Sequence, residues 1–206
     1  MFKLEDSLVS SLSLIDSNYP HRKKDFYNSL LHKNIKIYNW LADEYVKIYG
    51  NNEVLTANVF ASGFLLYDSY YIKKMNLDNI IYYDYDPDIL PINWQCLKHI
   101  RSQILIDQKC LDVILDSDYL RKDNVDVLIN FSCEKMIDQK FVVHNMEYQN
   151  KNPVFCFLAS GNHKRGNINI HSSLVDFEKS TGLSNIKYSG ETHFIDEKKY
   201  LVIGEK

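Results

Sequence analysis

The sequence predicts an α/β protein built on a seven-stranded, mostly parallel sheet, with a helical segment in front of it. Three observations carry that prediction. From about residue 55 onward, short apolar runs alternate with stretches of helical spacing, the pattern of parallel strands joined by right-handed crossovers. The run Val125-Asp126-Val127-Leu128-Ile129 is largely apolar and β-branched, as expected of a strand buried on both faces. The chain then closes on two strands with only a short polar link between them. That suggests an edge whose last strand inserts antiparallel.

Residues 1–50 read as helical. Leu8, Leu12, Leu14 and Ile15 precede a break at Asn18-Tyr19-Pro20, and Phe26, Leu30, Leu31, Ile35, Ile37, Leu41, Tyr45 and Ile48 follow at helical spacing. Gly50-Asn51-Asn52 stops the helix. This segment is either an extension covering the sheet or a lid over the site, and residues 51–206 form one compact unit. Asn58 to Gly63 reads as a first strand with its turn, Phe64 to Met75 as a helix, and Leu77 to Tyr85 as a second strand. Pro91 to Ile106 has helical spacing, and Leu111 to Leu115 reads as a third strand ending at Asp116-Ser117-Asp118. The central strand comes fourth. Pro153 to Leu158 is the fifth, running into Ala159-Ser160-Gly161-Asn162-His163 and a basic loop, Lys164-Arg165-Gly166. A helix around Leu174 to Lys179 leads to the closing strands, Asn185 to Gly190 and Tyr200 to Gly204.

Composition excludes several classes. With 206 residues and a formal net charge of −3, the chain fits one domain and offers no global attraction for a polyanion. No nucleic-acid-binding module is recognisable. No run approaches the roughly 20 apolar residues of a membrane span, and Met1 to Asp6 lacks the apolar core of a signal peptide. Cys96, Cys110, Cys133 and Cys156 are widely spaced, which fits reduced thiols in a cytoplasmic protein rather than a disulfide framework. The histidines show no ligand spacing, so no metal site is expected.

The chemistry concentrates where strands end, because ligands of open α/β sheets bind at the carboxyl ends of the strands. The central strand stops in Asn130-Phe131-Ser132-Cys133-Glu134-Lys135-Met136, with an amide, a hydroxyl, a thiol and a carboxylate in five positions. Glu134 can orient a substrate amine, act as a base if burial raises its pKa, or cap the next helix. Asn130 and Ser132 can bond a substrate or the backbone. Cys133 is a nucleophile only if a cation lowers its pKa, and Lys135 is the cation nearby; otherwise it is a buried thiol. The second strand ends in Asp84-Tyr85-Asp86-Pro87. An acid there can accept both hydroxyls of a ribose, although the same sequence is good turn chemistry.

These strand ends resemble those of class I S-adenosylmethionine-dependent methyltransferases, whose Rossmann-like sheet has seven strands with the last antiparallel. Ser132-Cys133-Glu134-Lys135-Met136 is similar to the Ser-Cys-Glu-His-Met signature of a small methyltransferase-like family of bacteriophages and bacteria. Leu158-Ala159-Ser160-Gly161-Asn162, Tyr188-Ser189-Gly190-Glu191 and Tyr200 to Gly204 extend the likeness, which covers roughly residues 55 to 206. The resemblance implies S-adenosylmethionine as cofactor. Asp84, Asp86 and Asp116 would hold its nucleoside, the Ala61-Ser62-Gly63 loop its methionine end, and Asn130, Ser132, Cys133 and Glu134 the methyl acceptor. Phe60-Ala61-Ser62-Gly63-Phe64 carries one glycine where the family's loop is glycine-rich, and Lys135 replaces its histidine. Two other readings stay open: a non-catalytic scaffold that meets a protein partner, and an enzyme using Cys133 and Glu134 without a nucleoside.

Overall fold

Seven strands pair in the order β3-β2-β1-β4-β5-β7-β6 in the computed structural model. It describes residues 3–113, 115–121, 124–135, 139–144, 148, 152–161, 167–194 and 197–206. Ile114, Met136, Asn162, His163 and the Lys164-Arg165-Gly166 loop lie outside the described residues.

Three helices come first: α1 (Leu4–Asn18), α2 (Lys23–Ser29) and α3 (His32–Tyr49). They are followed by β1 (Leu55–Phe60), α4 (Ser69–Lys74), β2 (Leu77–Asp84), α5 (Ile89–Cys96) and β3 (Leu105–Cys110). The second half holds β4 (Val127–Asn130), α6 (Gln139–His144), β5 (Val154–Ser160), α7 (Leu174–Thr181), β6 (Asn185–Phe194) and β7 (Glu197–Glu205). β1 pairs in parallel with β2 and β4, β2 with β3, and β4 with β5. β7 runs antiparallel between β5 and β6. The predicted sheet is therefore present, with the antiparallel strand inserted.

Side-chain alternation builds a core on each face. Val59, Ile80, Tyr82, Val127, Ile129, Cys156, Leu201 and Ile203 point to the face covered by α1, α3, α4 and α5. Phe60, Ile81, Tyr83, Leu128, Phe155, Phe157 and Val202 point to the other, where Val142 and Val143 of α6 and Phe177 of α7 cover them. Residues alternating along a buried strand are apolar in both directions, so β4 is wholly buried. The N-terminal helices belong to the first core through Ile15, Phe26, Ile37, Leu41 and Tyr45. The buried line of α1 is Ser7, Ser11 and Ile15, with Leu8, Leu12 and Leu14 half-buried beside it. Ser11 Oγ lies 3.3 Å from Cys96 Sγ, and Ser7 Oγ lies 3.1 Å from His99 Nδ1. Small hydroxyl residues let α1 approach α5 closely.

Three expectations need correction. The helix expected from Phe64 begins only at Ser69; Phe64, Leu65 and Leu66 reach the core from an irregular segment. The helix expected to run to Ile106 is α5, which stops at Cys96 with one 3₁₀ turn to His99. The third strand is Leu105–Cys110 rather than Leu111–Leu115. It is an edge strand, paired on one side only, and its Leu105 is 68% exposed. Asp107, Gln108 and Lys109 are tolerated there, and their polarity hid the strand. The closing strands are also longer than read: β6 continues through Glu191, Thr192, His193 and Phe194, exposed or half-exposed, and β7 begins at Glu197, which is buried.

A carboxylate is buried between α4 and β2. The Tyr71 hydroxyl donates to Asp68 Oδ2 at 2.6 Å and lies 3.1 Å from the Tyr82 hydroxyl, while Asp68 Oδ1 has no partner. Burial pushes the Asp68 carboxyl up to about 8 from 3.8, against the smaller opposing effect of the tyrosine hydroxyls. Between those two values the folded chain holds a proton that the unfolded chain has released. The stability this contributes is fully present below the unfolded value and is lost as pH rises through about 8. Urea midpoints should therefore fall between about pH 4 and about pH 8 and level off above it, and Asp68→Asn should flatten that fall. An equal fall in the variant would assign the effect to other groups.

Candidate functional site

A cleft of about 890 Å³ opens at the carboxyl ends of β1, β2, β3, β4 and β5. β1 and β4 are neighbours there, with β2 and β3 continuing to one side and β5 to the other. This is the switch point at which α/β sheets bind ligands. Arg22, Asp25, Asn28, Ser29, Ile37 and Tyr38 wall it from the N-terminal segment. Part of the helical extension thus faces the site, while α1 covers the sheet.

The β1 turn is held open by backbone conformation. Ala61 and Gly63 both have positive φ, 49° and 57°. Glycine adopts that region readily and alanine does not. Asn93, buried in α5, staples the turn: its amide donates to Gly63 O at 2.7 Å, and its Oδ1 accepts from Leu65 N–H at 3.1 Å. A Cβ on Gly63 would meet nothing within 4 Å, so the backbone there faces open space. The Ser62 hydroxyl is buried without a partner.

Asp84 closes β2 against this turn. Its Oδ2 accepts from Gly63 N–H and its Oδ1 from Asp86 N–H, both at 3.1 Å. A carboxylate has about four acceptor positions, so each oxygen retains capacity for a ligand. Burial pushes its pKa up; the two N–H bonds and the Lys135 charge oppose that effect. Asp86 lines the cleft but is engaged by Arg22, whose Nη1 lies 2.8 Å from its Oδ2. That guanidinium also stands 5.7 Å from the Phe64 ring centroid.

Because β3 ends at Cys110, the place expected for Asp116 is taken by Leu111, Asp112 and Val113, which line the cleft. Asp116 lies farther along and is not among the lining residues. It orders the turn instead: its Oδ2 accepts from Asp112 N–H at 3.0 Å.

The central-strand run divides. Phe131, Ser132 and Lys135 line the cleft. Asn130 is fully buried behind them, its Oδ1 accepting from Ser132 N–H at 3.0 Å and its amide donating to Gln139. Cys133 is buried, and burial, reinforced by the Glu134 charge, drives its thiol pKa well up. Lys135 does not activate it. In the native protein only Cys110 is exposed, so a thiol reagent should label that residue alone until denaturant releases the other three. Labelling of Cys133 in the folded state would contradict this packing.

Glu134 is buried and accepts from Ser160 N–H at 3.1 Å. Lys199 of β7 reaches it at 3.8 Å and Glu197 at 3.0 Å, while the Ser160 hydroxyl donates to Glu197 at 2.9 Å. Glu197 and Lys199 line the cleft. Sequence reasoning missed both, together with Arg22, Asn93 and Asp112. Glu197 and Lys199 at i and i+2 share one face of a strand, a spacing legible only once the strand's start is known. Among the described residues no group of three His, Cys, Asp or Glu is arranged to hold a metal, and no helix is long and apolar enough to cross a membrane.

No protein-family model matches the chain, and no curated protein does. Solved structures do. The plantazolicin methyltransferase BpumL, in complex with S-adenosylhomocysteine, superposes with a TM-score of 0.60 at 10% identity, covering 98% of this chain and 97% of that one. M. capricolum TrmK, in complex with S-adenosylhomocysteine, gives 0.55 at 10% identity, over 82% of this chain and 67% of that one. The CurJ carbon methyltransferase gives 0.53 at 7% identity over 78% of this chain, which spans only 51% of that protein. At such identities the likeness is one of fold: the chain has the Rossmann-like, seven-stranded fold of class I methyltransferases, with its cleft at the switch point.

Proposed function

We propose that the chain is an S-adenosylmethionine-dependent methyltransferase. The observation that carries this reading is Asp84, a buried carboxylate at the end of β2, lining the cleft and oriented by two backbone N–H groups. It is positioned to accept both ribose hydroxyls with no reorganisation of its own. The fold neighbours solved in complex with S-adenosylhomocysteine support the same cofactor.

The residues present fit such a ligand. The open space over Gly63 lets a methionine moiety approach the backbone of Ala61, Ser62 and Gly63. Leu111 and Val113 offer apolar flanks for a base, and Asp112 an acceptor beside them. Asp86 fastens the Arg22 segment over the nucleoside end, and Asp116 fixes the turn that carries Asp112. The bound cofactor supplies a methyl group activated by a sulfonium. The chain contributes alignment and exclusion of water. Ser132 faces the acceptor, Asn130 fixes the Ser132 backbone, Cys133 packs behind it, and Glu134 orders Ser160 and Lys199.

Calorimetric titration with S-adenosylmethionine and S-adenosylhomocysteine tests the reading. Micromolar binding of both is expected. No heat up to millimolar ligand, from a folded sample, would sink it and turn attention to a scaffold role.

A further inference from the structure

β3 ends the sheet, and among the described residues no strand pairs with its outer side. Leu111 N–H donates to Asp84 O at 3.0 Å, so Lys109, Asp107 and Leu105, at steps of two, aim their backbone groups at β2. Ile106, Gln108 and Cys110 aim theirs outward. Gln108 N–H turns to the neighbouring Asp107 carboxylate, 2.8 Å away. An edge of this kind is a template for another strand.

Charge order selects which strand. Charges on an edge usually repel pairing, but Asp107 and Lys109 have opposite signs and share one face of β3. Against a second, antiparallel β3, outward-aimed residues must face outward-aimed residues. The two-fold axis then passes through one residue position of the pair. Centred on Asp107 or Lys109, it sets that residue against its own copy, and like charges opposite each other repel. Centred on Gln108, it sets Asp107 opposite the partner's Lys109, and Lys109 opposite the partner's Asp107. Ile106 and Cys110 then exchange backbone bonds with the partner's Cys110 and the partner's Ile106.

An apolar surface lies beside the same edge. A groove of about 410 Å³ is lined by Leu14 of α1, Leu90, Pro91 and Trp94 of α5, and Asp107 and Gln108. Trp94 is 44% exposed, and the Arg101 guanidinium stacks 3.6 Å from its ring centroid. Gln108 has a buried Oε1 with no partner. A two-fold axis perpendicular to the sheet keeps each face on its own side. The groove therefore meets its own copy, and Gln108 meets the partner's Gln108.

From the edge, the charges and the groove together, we infer that the chain forms a homodimer through β3. The two sheets join edge to edge, antiparallel about Gln108, with two Asp107–Lys109 pairs across the axis.

Sedimentation velocity on the full chain, between about 1 and about 100 µM, tests this. A dimer is expected toward the upper end of that range. Asp107→Lys and Lys109→Asp should each weaken it by at least about tenfold, since each sets like charges opposite at both symmetric positions. An equimolar mixture of the two variants should associate again, because each strand then carries a single sign. The double variant Asp107→Lys/Lys109→Asp should dimerise as wild type does. Trp94→Ala should weaken the dimer as well. In the wild-type chain, amide exchange at Ile106, Gln108 and Cys110 should slow as concentration rises, a readout that stands even if a variant fails to fold. A wild-type chain that stays monomeric at about 100 µM would overturn the inference. So would a dimer that survives both single substitutions, a mixture that stays monomeric, or exchange at those three amides that ignores concentration.

Discussion

Asp84→Ala is expected to abolish micromolar binding of S-adenosylhomocysteine while leaving the fold intact. Hydrogen bonds to a charged acceptor contribute about 1.5–3 kcal/mol each. Losing two to a ribose should weaken binding by at least about 100-fold, near 2.7 kcal/mol or more. The side chain also orders Gly63 and Asp86 through their N–H groups, so its removal loosens the turn that would face the methionine end. Asp84→Asn separates these effects. It keeps the size and one acceptor, and should retain part of the affinity. Burial raises the Asp84 pKa, so the ionised acceptor is lost on acidification at a higher pH than an ordinary carboxylate would be. Affinity should fall with decreasing pH in wild type, and Asp84→Asn should show a flatter profile. Full affinity in Asp84→Ala would remove Asp84 from the site.

The second large effect is on stability. Arg121 threads under β1 and β2 on the sheet face opposite the N-terminal helices. Its Nε donates to Asn58 Oδ1 at 3.2 Å, Nη1 to Asn79 Oδ1 at 2.8 Å and Nη2 to Ala57 O at 2.5 Å. The Asn58 amide returns a bond to Arg121 O at 2.7 Å, and Arg121 N–H donates to the Tyr83 hydroxyl at 3.0 Å. Buried Asn58 sits in the middle of a central strand, and only this fork satisfies its Oδ1 among the described bonds. Arg121→Ala should cost about 3–4 kcal/mol, because it leaves several polar groups unpaired at once. With a urea slope near 2 kcal/mol per molar, the midpoint should drop by about 1.5–2 M. Lysine should not restore it, since a point charge cannot serve three acceptors in one plane. A drop below about 0.5 M would mean that water replaces the fork.

By itself the sequence determined the class of fold, the central strand, the antiparallel close and the location of the cleft. Those features rest on local patterns. A strand buried on both faces must be apolar throughout, as Val127 to Ile129 and Phe155 to Leu158 are, and reactive groups just beyond such strands mark the ligand end. The place of Asp84 at the end of β2, lining the cleft, was legible for the same reason. Only the tertiary structure decided what depends on pairing across the chain. β3 escaped notice because an edge strand with one exposed side carries no apolar signature, and its displacement moved the expected third acid from Asp116 to the Leu111–Val113 segment. Ser7 and Ser11 form the buried line of α1 because α5 approaches closely, a contact that hydropathy alone reads as solvent. Arg22 meets Asp86, and Lys199 meets Glu134, only because the fold brings remote segments to one cleft. Local sequence sets which residues are buried along an element; the chain's topology sets which charges those elements bring together.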